Sequence, residues 1–205
     1  YGLTLRGVAT AVLEGNEIRS FARGFLISES TDLVVKGNDV HAIRTDGMNF
    51  SQVERVLIAD NYIHDFKRIL ESVDHPDMIQ FWTNGTTRPS TDITIRGNIM
   101  NSGTGWFTQS IFMRNDQVDR GLAGPEMFYR NVTIEDNVII NAHLHGITVG
   151  ETAGLKILNN SVIRNAASQG KEDNPALWTP QIRVAPTSTN VTILRNVVSK
   201  VAGYD

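Results

Sequence analysis

Residues 132–150 read Val132-Thr-Ile-Glu-Asp-Asn137-Val-Ile-Ile-Asn-Ala-His143-Leu-His145-Gly-Ile-Thr-Val-Gly150. Short runs of β-branched and aliphatic residues alternate here, punctuated by Asp, Asn and Gly, which is the pattern of short strands joined by tight turns. The same frame surrounds Asn16, Asn38, Asn61, Asn98, Asn160 and Asn196, each preceded by an aliphatic-x-aliphatic triplet, as in Leu33-Val-Val-Lys-Gly-Asn38 and Ile93-Thr-Ile-Arg-Gly-Asn98. Successive asparagines are 22, 23, 37, 39, 23 and 36 residues apart, so the base period is 22 to 23 and three gaps carry extra residues. A period of that length marks a stacked solenoid. Leucine-rich repeats share it, but their leucine frame is absent.

The predicted fold is therefore all-β, a right-handed parallel β-helix of seven coils in a single domain over residues 1–205. A coil cannot bury its apolar face alone and gains a core by stacking on neighbours about 4.8 Å away. The asparagine column is expected to be structural, because Asn tolerates left-handed backbone and its amide can bond both backbone and the next amide in the stack. The triplets Asn131-Val-Thr133 and Asn190-Val-Thr192 are by-products of that frame.

Composition limits the function classes. The chain is 40% hydrophobic with 17 Gly and 6 Pro, too apolar for disorder. No apolar run is long enough to span a membrane, and no signal peptide stands at the start. The absence of cysteine excludes disulfide and thiolate chemistry, and a net charge of −3 disfavours nucleic acid as a partner. Neither end carries an amphipathic cap, so flanking segments of a longer chain are expected to supply it.

The extra residues gather around one strand of the repeat. That strand aligns as Gly24–Ser28, Gly47–Ser51, Met78–Trp82, Ser110–Arg114, Gly146–Gly150 and Gln181–Ala185. Insertions at 64–76, 84–90, 116–129 and 167–178 flank it and should raise the walls of a groove. Alternation places Phe25/Ile27, Met48/Phe50, Ile79/Phe81 and their counterparts inward. The outward column is then Leu26, Asn49, Gln80, Phe112, Thr148 and Arg183. An entry column of Arg23, Asp46, Asp77, Gln109, His145 and Pro180 faces the groove only if the preceding turn breaks the alternation.

Such a surface suits an extended acidic sugar chain. Trp82 and Phe112 offer planes for pyranose faces, Asn49 and Gln80 offer paired donors and acceptors, and Arg114 and Arg183 can hold carboxylates. Abstraction of a uronate C5 proton requires neutralisation of the carboxylate, a base, and a donor to the leaving oxygen or the opposite face. His145 is the first choice of base because histidine titrates near neutrality, with His75 and Lys67 as alternatives. Tyr129 is a candidate donor, and His41 and His64 read as turn residues. Asp46 and Asp77, one above the other, can act as an acid/base pair or share a calcium ion, with Glu71 nearby.

The whole chain resembles the pectin-lyase-type β-helix group, which includes polysaccharide lyases, mannuronan C5-epimerases, polygalacturonase-type hydrolases and phage tailspikes. Residues 132–150 are similar to mannuronan C5-epimerase repeats. Those epimerases carry Asp-Pro-His on this strand, whereas coil three here reads Asp74-His75-Pro76-Asp77. The order of Asp46, Asp77 and His145 matches polygalacturonases, with Pro76 in place of one aspartate and an additional coil before His145. The resemblance implies a lyase or C5-epimerase acting on an acidic polysaccharide, in an extracellular or cell-surface location. A hydrolase or a non-catalytic glycan-binding rod is the alternative.

Overall fold

The computed structural model describes residues 1–69, 75–104, 108–168 and 179–204. Each turn of the chain lays down three short strands in a fixed order, such as Thr31–Lys36, Asp39–His41 and Met48–Ser51. Every strand pairs in parallel with its counterparts one turn away. Three parallel sheets of eight, seven and seven strands result, the right-handed parallel β-helix that the repeat predicts. The eight-stranded sheet carries the groove. It begins at Leu3–Arg6 and ends at Val201–Gly203, two strands beyond the six found by alignment. Leu3–Arg6 has no repeat asparagine upstream, and Val201-Ala-Gly203 contains one β-branched residue, so neither stands out in the sequence.

The asparagines form a continuous ladder at the corner between the second and third sheets. Asn98 illustrates each rung: its backbone N and its Nδ2 both donate to Asn137 Oδ1, at 3.0 and 2.9 Å, and Nδ2 also donates to Ile58 O at 3.0 Å. The same pattern runs from Asn16 to Asn196. From Asn38 to Asn160 the rungs are buried, so every donor they satisfy would otherwise be orphaned. The left-handed residue of this corner is not the asparagine but the one before it. Gly15, Gly37, Asp60, Gly97, Asp136, Asn159 and Arg195 have φ between 54° and 67°. Asn instead keeps the ordinary backbone that aims its amide along the stack, and the preceding Gly or Asp absorbs the turn.

Inside the coil, Phe25, Ile27, Met48, Phe50, Ile79, Phe81, Ile111, Met113, Ile147, Val149, Ile182 and Val184 point inward as the alternation predicts. Phe50 and Phe81 stack in adjacent coils with centroids 4.9 Å apart, an arrangement worth about 0.5–1.5 kcal/mol beyond area burial. Among the insertions, 116–129 forms a short helix, Asp116–Asp119, and a 3-10 turn, Pro125–Met127. Thr83 binds this insertion to its neighbour: its backbone N donates to Asp116 Oδ2 at 3.3 Å and its Oγ1 to Asn115 Oδ1 at 3.0 Å. One wall of the groove is thereby fixed to the sheet.

Candidate active site

Parallel pairing of the groove sheet sets Leu26, Asn49, Gln80, Phe112, Thr148 and Arg183 in register, one per coil. Across the first four coils lies a groove of about 500 Å³, with Asn49 and Gln80 on its floor and Trp82, Asn84, Arg114 and Arg120 toward the inserted wall. Arg114 Nε is held 3.0 Å from Asp119 Oδ2 and 3.4 Å from Asp116 Oδ1, so its guanidinium is fixed in orientation. Arg120 donates to Asn84 Oδ1 at 3.0 Å.

The entry column turns its polar groups to the groove side just below the surface. Glycine makes this possible: a Cβ on Gly47 would lie 2.6 Å from Met78 O and 2.8 Å from the Phe66 ring. Coils therefore approach closely behind Asp46, and Asp46 Oδ1 accepts from the backbone N of Asp77 at 3.3 Å. Asp46 Oδ2 pairs with Arg23 Nε at 3.1 Å. Burial raises the Asp46 carboxyl above the ordinary range, opposed by Arg23 and by the Asn49 amide.

Asp77 is fully buried. Its Oδ2 accepts from Gln80 Nε2 at 2.8 Å and stands 3.5 Å from His75 Nδ1, while Oδ1 has no hydrogen-bond partner among the described residues. Burial, and then the charge of Asp46, push Asp77 up to about 7, with His75 pulling the other way. His75 is 62% exposed and lines the groove, and its bond to Asp77 raises it from the usual histidine value despite partial burial. An exposed imidazole backed by a buried carboxyl is the arrangement that fixes a histidine tautomer, here leaving Nε2 as the basic nitrogen.

Farther along the sheet His145 is enclosed. Its Nδ1 lies 2.8 Å from Thr148 Oγ1, and its ring meets Phe112 at 5.0 Å and Tyr204 at 6.2 Å. Burial, Arg183 and His75 lower it to about 4. His143 stacks on it at 5.3 Å and accepts from the His145 backbone N; burial and neighbouring cations lower it to about 3. Both rings are neutral at pH 7.

The family model for the right-handed β-helix region matches residues 1–198. The chain belongs to the right-handed β-helix family. Among solved structures of that fold, it is similar to two mutant forms of the periplasmic alginate epimerase AlgG, with TM-scores of 0.62 and 0.60 and 16% identity in both. In each case the whole of this chain aligns with 48% of the other, so it spans about half their length. Comparison with curated protein sequences gives no significant match.

Within this β-helix, Asp46, Asp77, His75, Asn49, Gln80, Trp82 and Arg114 converge on one groove or directly beneath its floor. His145 and Arg183 lie on the same sheet in later coils, where Arg183 Nε donates to Gly203 O and its guanidinium lies 6.0 Å from the Tyr204 ring centre. Four expectations are corrected. Gln181, not Pro180, pairs with His145, because an irregularity between His145 and Ile147 shifts the register. Phe112 is 7% exposed beneath His145 and Tyr204, so it offers no open platform. Lys67 is exposed on the approach to coil three but does not line the groove. Tyr129 is buried with its OH on Arg114 O at 2.7 Å, and burial raises it well above the usual phenol range, so it cannot serve as a donor in the groove.

His41 and His64 end strands of the third sheet and stack on each other at 5.0 Å, away from the groove. Calcium takes about six to eight oxygen ligands. Arg23 on Asp46 and His75 beside Asp77 put cationic donors where those ligands would stand, and no metal-ligating cluster occurs among the described residues. The described residues, as they stand, do not fit a calcium ion. Glu71 and Asp74 lie outside the described residues. Arg23, Arg120 and Tyr204 are contributors that the motif comparison did not single out. Arg23 was legible as the entry-column neighbour of Asp46, whereas Tyr204 arrives through a strand that carries no repeat signal.

Proposed function

We propose that this β-helix binds an acidic, uronate-containing polysaccharide in the groove and abstracts its C5 proton, as a C5-epimerase or a polysaccharide lyase. The observation that carries this reading is the exposed His75 with buried Asp77 behind it, on a groove flanked by Arg114 and Arg120. A C5 hydrogen becomes acidic when the attached carboxylate is neutralised, and a guanidinium held by Asp116 and Asp119 is oriented to do so. His75 takes the proton on Nε2, while Asp77 accepts from Nδ1 and stabilises the imidazolium. Reprotonation of C5 from the opposite face by solvent water gives the epimer; expulsion of the C4 oxygen, which takes the proton held on His75 Nε2, gives an unsaturated end.

The role of base moves to His75 from His145 because His145 is covered by Phe112 and Tyr204 and is a weak base at about 4. His145 and Arg183 then shape the later coils of the same sheet. Trp82 stacks on a sugar face and Gln80 meets hydroxyls, while Asn49, 3% exposed, lies in the floor beneath. Hydrolysis of the polygalacturonase type is disfavoured, since Asp77 is fully buried and Asp46 is tied to Arg23. The solved relatives include a protein described as periplasmic, and among the described residues no helix is long and apolar enough to cross a membrane. The first of these supports an extracytoplasmic location.

Incubation with polymannuronate and polygalacturonate in D2O tests the reading. Deuterium at C5 by NMR marks epimerisation, and ultraviolet absorbance of unsaturated uronate marks elimination. A folded protein that produces neither on either polymer rules it out.

A further inference from the structure

A second concavity, of about 700 Å³, lies away from the groove at the start of the second sheet, beside the Pro125–Met127 turn. It arises from an interruption in a regular column. From Thr31–Lys36 onward, the residue just after the second-sheet column that aligns Thr31 with Arg130 and Thr189 is left-handed: Asp32, Arg55, Asp92, Asn131, Gly154 and Asn190 have φ between 52° and 83°. Where side chains are present they bridge coil to coil, Arg55 to Asp32 at 2.7 and 2.9 Å and Asn131 Nδ2 to Asp92 Oδ1 at 2.8 Å. At coil five the pair is Ala153-Gly154, and the bridge stops. Asn131 and Asn190 then flank the coil-five strand, where no side chain rises from Gly154 and a Cβ there would lie 3.3 Å from Asn131 Oδ1. Phe128 walls one side, and exposed Arg130 stands in register with Ala153.

We infer that this depression is a separate saccharide site holding one acidic pyranose unit. The side-chain oxygen of Asn131, whose Nδ2 is held by Asp92, and the Asn190 amide face the depression toward hydroxyls. Phe128 supplies an apolar face, and Arg130, which also donates to Glu126 O at 3.4 Å, supplies a guanidinium for a carboxylate. The inference rests on the proposed polymer for the choice of sugar. It adds a contact that retains the chain on the protein without touching the reacting residue.

The test is an amide NMR titration of the intact chain with tetramannuronate and, separately, with neutral cellotetraose. Tetramannuronate should shift the signals of Ala153, Gly154 and Asn190 in a saturable manner, and cellotetraose should shift them at least tenfold more weakly. Ala153→Gln should abolish those shifts. Its fold should survive, because Arg130 and Thr189 occupy the same register position in the adjacent coils. Shifts confined to Asn49 and Gln80 would overturn this site and leave the groove reading standing. Shifts at Ala153 without any at the groove would do the reverse. Equal response to both sugars would overturn the acidic specificity, and shifts that persist in Ala153→Gln would overturn the site.

Discussion

His75 Nδ1 stands 3.5 Å from Oδ2 of Asp77, an exposed imidazole against a carboxyl with no exposure. Asp77 holds its place through the pairing of its own strand, so the position of His75 is set by the sheet. A positioned general base contributes roughly 10²–10⁴-fold to rate. His75→Gln should therefore lower turnover of polymannuronate by about that factor, with thermal unfolding unchanged. Turnover equal to that of the unaltered protein would remove His75 from the mechanism.

Asp77 acts through His75, and its loss has a signature of its own. The bond to Asp77 raises His75, so the rate should climb with pH through a value above the ordinary 6.5 of histidine. In Asp77→Asn that limb should move to lower pH, together with a fall in maximal rate. A limb that stays in place would show that Asp77 serves only to pack the turn.

Stability should depend on pH through groups whose folded and unfolded values differ. His143 and His145 sit at about 3 and about 4 in the fold, against 6.5 when unfolded. As pH falls from 6.5 to about 4, the unfolded chain takes up two protons that the fold refuses, and stability falls. Asp77, at about 7 against 3.8, works oppositely over the same window, since the fold keeps a proton that the unfolded chain has lost. Asp46 and Glu151 are raised by burial as well and act with Asp77, so the two histidines drive a decline in melting temperature from pH 6.5 to 4 that these carboxyls oppose. His145→Gln should flatten that decline and Asp77→Asn should steepen it, as measured by calorimetry across the range.

Arg114 is proposed to meet a substrate carboxylate in a groove open to solvent. Arg114→Ala should raise KM for the acidic polymer severalfold and weaken its dependence on salt, because an exposed ionic contact is screened by added ions. An unchanged KM would place the carboxylate elsewhere along the wall.

The ladder makes a prediction about folding alone. Asn137→Ala removes the acceptor for two donors of Asn98 and the donor to Ile95 O, all of them buried. At about 1–3 kcal/mol for each orphaned group, destabilisation should reach about 3 kcal/mol or more. Asn16→Ala, at the exposed end, should cost under about 1 kcal/mol. Equal shifts in the denaturant midpoint would contradict the burial argument.

The fold was legible because its determinants are local and repeated. Asn98 sits in the same six-residue frame as Asn38 and Asn137, and the alternation around Ile79 and Phe81 fixes which face is inward. The register of Asn49, Gln80 and Thr148 follows from that alternation alone. The site was legible as a set of columns but not as a depth. No pattern in the sequence says that Asp77 lies beneath Gln80, or that Tyr204 folds over His145, since both follow from how closely neighbouring coils approach. The left-handed residue before each asparagine shows in the sequence as a preference for Gly and Asp, but asparagine tolerates the same backbone, so the pattern alone does not say which of the two adjacent residues takes the turn.

Each rung of the amide stack is both a plug and a socket of the same shape, so it places no upper bound on the number of turns. A stretch of 22 or 23 residues cut at equivalent points, such as 31–53, presents matching surfaces at its two ends. Copying such a unit in tandem would lengthen the rod by one layer without new contacts having to be invented. Modular growth by gene duplication is thus written into a single side-chain geometry, and diversification of chemistry is left to whatever is spliced between the units.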